Sequence, residues 1–158
     1  MGKTTPATAF LTKNGIAYEL ISYAYEPKAD NIGLHAAQAI NADPKQVFKT
    51  LMIKVDEKIA AVAVLPVDKQ ANMKKLAAIF CGKHAHMMSV EDAEKSTGYK
   101  VGGISPFGQR KRLPTVFDAS ILNFNEAYMN GGGRGLQIKL NPKDAIKVLD
   151  AKVEEFHN

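Results

Sequence analysis

Two apolar runs separated by three charged residues constrain this chain more than any other feature. Residues 47–55, VFKTLMIKV, and residues 59–67, IAAVAVLPV, flank Asp56, Glu57 and Lys58. Aliphatic and β-branched residues at that density, joined by so short a polar link, predict two paired strands inside a sheet. The chain has 158 residues, enough for one domain with a substantial core, so residues 1–158 are read as a single domain.

The first of these strands carries an anomaly. Alternation places Val47, Leu51, Ile53 and Val55 on one face and Phe48, Thr50, Met52 and Lys54 on the other, with Lys49 falling among the apolar set. An ammonium buried without a partner is costly, so such a lysine either snorkels to water or meets an anion in a pocket. Lys49 is therefore the first candidate for a functional residue.

A second anomaly lies at residues 96–114, STGYKVGGISPFGQRKRLP. Glycine adds backbone entropy and proline removes a donor, so Gly98, Gly102, Gly103, Gly108, Pro106 and Pro114 exclude an ordinary helix. The stretch reads as a shaped loop whose backbone can approach a ligand closely. From Lys95 to Pro114 it holds Lys95, Lys100, Arg110, Lys111 and Arg112 and no acid, which accounts for the whole net charge of +5. A clustered excess of this kind is what a phosphate or RNA contact needs, and also what a solvated surface face looks like. Lys100, Arg110, Lys111 and Arg112 are the candidate RNA contacts.

The rest of the chain supplies the frame. Thr5-Pro6 opens a helix that Asn14-Gly15 closes, and residues 16–25 read as a strand carrying Tyr23. Residues 32–40 form a second helix, and Asn72 caps a third whose stripe is Met73, Leu76, Ala77 and Phe80. Ser89 starts a short helix ending at Gly98. Strands follow at 115–119, 126–129 and 136–140, the last two forming a hairpin, and Asn141 caps a final helix. In the last strand Gln137 and Lys139 alternate with Leu136, Ile138 and Leu140, which predicts one wet face. Helices at uneven intervals among mostly hairpin-linked strands predict an α+β fold, a mixed sheet curled toward a barrel with helices around it.

Composition narrows the chemistry. A lone cysteine, Cys81, excludes an internal disulfide and a cysteine-based zinc cluster, and its place after Phe80 predicts a buried structural thiol. His84 and His86 form an isolated HxH without a third ligand nearby, so no metal and no cofactor is expected. The longest apolar run is too short to span a bilayer and no secretory segment opens the chain, so a cytoplasmic protein without a membrane partner is expected. Neither HExxH, a Walker loop nor GxGxxG occurs. What remains is a lysine, a loop of backbone donors and the hydroxyls of Tyr23, Thr50 and Ser105, which suit stabilising an oxyanion rather than attacking a carbonyl.

The strings VFKTLMIKV, STGYKVGGISPFGQRKRLPT and GGGRGLQI resemble the YbaK family of aminoacyl-tRNA editing domains over most of the chain. The resemblance implies deacylation of cysteine mischarged onto proline tRNA, with aminoacylated tRNA as substrate, prolyl-tRNA synthetase as partner and no DNA. It assigns Lys49 as the essential lysine and Gly102, Gly103, Ile104, Ser105 and Pro106 as the loop holding the aminoacyl group. Tyr23 becomes a pocket tyrosine, with Thr50 beside the lysine. It also implies a substrate-assisted reaction in which the cysteine thiol attacks its own ester. Ile32, Leu34, His35 and Gln137 depart from the residues common in relatives. Two alternatives stay open: a deacylase for another substrate such as Ala-tRNA(Pro), and a non-catalytic RNA-binding or synthetase-associated module.

Overall fold

The computed structural model describes residues 4–158. Its centre is the expected pair, β2 (Phe48–Val55) and β3 (Ile59–Pro66), antiparallel along their full length. On one side β4 (Ala85–Met87) adds to Ile53–Val55 of β2. On the other, β5 (Thr115–Asp118) and β8 (Lys152–Glu154) add in parallel, giving the order β4-β2-β3-β5-β8. A second, antiparallel sheet orders β1 (Glu19–Ser22), β7 (Leu136–Leu140) and β6 (Ala127–Asn130).

Among the described residues, five α-helices surround the sheets: α1 (Pro6–Lys13), α2 (Ile32–Ala39), α3 (Met73–Ile79), α4 (Val90–Thr97) and α5 (Pro142–Leu149). Their starts follow the capping chemistry in the sequence. Thr5 and Thr8 exchange side-chain and backbone bonds at α1, and Asn31, Asn72, Ser89 and Asn141 each accept from a first-turn N–H. None is long and apolar enough to cross a membrane.

The α+β class and mixed pairing are as expected, but the barrel is not closed. Among the described residues the two sheets meet through a single isolated bridge, Val47 to Tyr128, and are otherwise joined by packing. Phe48, Met52, Val64 and Phe117 of the large sheet bury one face against Met129 and Ile138 of the small one. The other face, through Ile53, Val55, Ala63 and Leu65, packs on Leu76, Ala77 and Phe80 at α3 and on Phe156. Both faces of β2 are thus covered, which explains a strand with apolar residues at odd and even positions alike.

Cys81 departs from its reading as a buried thiol. Phe80 takes the core position that ends α3, and Cys81 then turns outward with φ +61° and is exposed. The strand expected over 16–25 contracts to Glu19–Ser22, and β8 was not foreseen.

Candidate active site

A cavity of about 350 Å³ opens beside β2, within the roughly 300–1,000 Å³ of small-ligand sites. Its position follows from an interrupted strand edge. β3 pairs with every residue of β2, whereas β4 covers only Ile53–Val55, and Met88 N–H extends that contact by donating to Met52 O at 2.9 Å. Backbone groups of alternate residues leave a strand on the same side, so Thr50 N–H and C=O project toward the edge that β4 leaves open. The cavity occupies that gap and takes side chains from both faces of the strand.

Among the residues singled out from the sequence, Tyr23, Lys49, Thr50, Gly102 and Ile104 meet in its wall. Gly103, Ser105 and Pro106 stand behind it. Ser105 is fully buried, its hydroxyl oxygen accepting from Phe107 N–H at 3.2 Å, and Pro106 lines a smaller cleft with Lys111 and Arg112. The basic segment lies outside the cavity wall. Lys100 sits 3.7 Å from Glu94, Arg112 donates to Val148 O at 3.3 Å, and the Arg110 side chain covers Gly98.

The glycine-rich loop is anchored at both ends. Phe107 is fully buried against the main core and Phe10, while the Tyr99 hydroxyl donates to Phe107 O at 2.5 Å. Between these anchors the loop leans on the β6–β7 turn. Asn130 Nδ2 donates to Gly102 O at 3.2 Å, while its Oδ1 accepts from Gly132 and Gly133. Arg134 donates to Val101 O through Nε at 3.1 Å and Nη2 at 2.9 Å, with its guanidinium 5.7 Å from the Tyr25 ring centroid. Asn130 and Arg134 escaped the sequence reading as supports of this loop. Their only signal was an Asn and an Arg within the run NGGGRG.

Gly102 has φ +92°, and a Cβ there would collide with the Tyr25 hydroxyl. Gly102→Ala is therefore expected to displace the cavity wall and lower kcat/KM by about 10- to 100-fold. Steady-state kinetics beside a melting curve measures this; full activity would remove the loop from the site.

Electrostatically the wall is one-sided. Lys49 is half-buried, and burial pulls its pKa below the ordinary 10.5, with the Asp68 charge opposing. Asp68 itself lies 3.9 Å from Lys45. Burial raises the Tyr23 hydroxyl above 10.0, offset in part by the Gln137 amide, so Tyr23 is neutral at pH 7. No cysteine, serine, histidine or carboxylate belongs to the wall among the described residues. Nor do those residues contain a His/Cys/Asp/Glu cluster placed to hold a metal. The arrangement can stabilise developing negative charge, but its wall offers no strong nucleophile.

Residues 26–148 match the aminoacyl-tRNA editing domain family, and the chain belongs to it. Among curated relatives, EbsC of Enterococcus faecalis, a candidate Cys-tRNA(Pro)/Cys-tRNA(Cys) deacylase, is 27% identical, covering 96% of this chain and 92% of its own. The multifunctional Ser/Thr-tRNA deacylase ProXp-y of Escherichia coli is 23% identical over 94% of this chain and 89% of its own. The crystal structure of a candidate trans-editing enzyme for prolyl-tRNA synthetase superposes with a TM-score of 0.85 at 20% identity, covering 99% of both chains.

Proposed function

We propose that the protein is a trans-editing deacylase that clears cysteine from Cys-tRNA(Pro), acting beside prolyl-tRNA synthetase. The observation that carries this is a half-buried lysine in a cavity whose wall lacks a strong nucleophile. The aminoacyl end enters the gap along β2, with its ester carbonyl toward Lys49 and its flank against Gly102 and Ile104. The thiol of the bound cysteine supplies the nucleophile. Its sulfur bonds to the carbonyl carbon, the carbonyl electron pair moves to oxygen, and the Lys49 ammonium stabilises that oxyanion. Collapse breaks the ester C–O bond. The tRNA hydroxyl leaves with the thiol proton, and the four-membered thiolactone is hydrolysed to cysteine by water.

Blocking the thiol tests this mechanism. Cys-tRNA(Pro) is expected to be deacylated at least about tenfold faster than its S-methyl counterpart. Equal rates would require an external nucleophile and overturn the substrate-assisted step.

A further inference from the structure

Among the described residues, two polar atoms of the cavity wall have no hydrogen-bond partner: Thr50 Oγ1 and Gln137 Oε1, the Gln137 amide otherwise reaching the Tyr23 hydroxyl. Gln137 was expected on a wet face of β7, yet it is only 5% exposed. The correction has a plain cause. β7 is the middle strand of the small sheet, with Gln137 opposite Ile21 on β1 and Asn130 on β6. Ile138, the next residue, faces the main core, so the alternate face carrying Gln137 and Asn130 forms part of the cavity wall. A buried amide oxygen is ordinarily paired, and an unpaired one at a ligand cavity calls for an explanation.

We propose that Gln137 and Thr50 read a hydrogen-bond donor on the side chain of the aminoacyl group, so that the cavity prefers hydroxyl- and thiol-bearing amino acids to alanine. This rests on the aminoacyl-ester reading of the cavity given above. The α-ammonium is the other donor an aminoacyl ester brings, but the wall suits it poorly. It holds the Lys49 ammonium and, among the described residues, no carboxylate. Burying a second cation there against neutral acceptors costs more than burying an O–H or S–H group. The ammonium belongs at the hydrated mouth. A neutral side-chain donor satisfies the orphaned oxygens, whereas alanine leaves them dry and unpaired.

Binding tests this independently of turnover, using 3′-seryl and 3′-alanyl amide analogues of adenosine with the wild type and Gln137→Met. Methionine keeps the length of the side chain while removing the strong acceptor. The wild type is expected to bind the seryl analogue about tenfold or more tighter than the alanyl one, and Gln137→Met to abolish that preference. Matched melting temperatures show that the variant is folded. Equal affinities in the wild type, or a preference that survives Gln137→Met, would overturn the proposal and leave the deacylase reading standing. Equal weakening of both analogues by Gln137→Met would assign the residue to the α-amine, which also overturns it. Failure of the wild type to bind either analogue would sink the aminoacyl reading and this inference with it.

Discussion

Lys49→Ala is expected to lose deacylation by at least about 100-fold, the scale of removing one oxyanion donor from a water-poor site, with no loss of thermal stability. Both halves follow from the environment of the lysine. Burial depresses its pKa below 10.5, so the folded protein holds the charged form less comfortably than the unfolded chain does. Alanine removes that penalty along with the proposed oxyanion donor. Under the proposed mechanism activity draws on the protonated ammonium, so the wild-type rate should fall as pH rises through this lowered pKa, below 10.5. Lys49→Arg keeps a cation but replaces a compact ammonium with a planar fork, and should recover only part of the rate. Rates against pH and melting curves for the three proteins check all of this. A folded Lys49→Ala protein with wild-type kcat/KM would contradict it.

Asp118→Ala is the largest expected loss of stability. Asp118 ends β5 and is fully buried outside the cavity wall. Its carboxylate accepts from Phe156 N–H, His157 N–H, Ser120 N–H and hydroxyl, and His157 Nδ1, at 2.7–3.2 Å. Burial opposes ionisation, but these bonds outweigh it and hold the carboxyl below the ordinary 3.8. The contribution is therefore whole above pH 3.8 and fades as pH falls through the lower folded value. Alanine leaves several buried donors unpaired, at about 3 kcal/mol. For a chain of this size that lowers Tm by about 10 °C. Urea melts from pH 7 to pH 2 check the magnitude and the acid limb, which the variant should show weakened; a change under about 1 kcal/mol would refute the clamp.

The local code was legible where one strand or cap decides the outcome. The β2–β3 pair, the capping residues and the singularity of Lys49 all rest on neighbours a few positions away. What escaped depends on which element covers which. Gln137 alternates with apolar residues as any half-wet strand does, and only the placement of β7 between β1 and β6 turns its face into a cavity wall. Ser105, one of the hydroxyls read as equipment for the site, is consumed inside its own loop. Asn130 and Arg134 act through loop carbonyls about thirty residues away in sequence, which no periodicity reveals. The open edge of β2, on which the site depends, exists because β4 stops at three residues.

Loss of the ester from Cys-tRNA(Pro) under single-turnover conditions, with protein in excess, tests the central claim most directly. The account predicts release of the amino acid well above the buffer rate, suppressed by a nonhydrolysable 3′-aminoacylamido adenosine that fills the cavity. Tight binding of the tRNA with an ester lifetime no shorter than in buffer would contradict it, and would make the protein an RNA-binding module built on an editing fold.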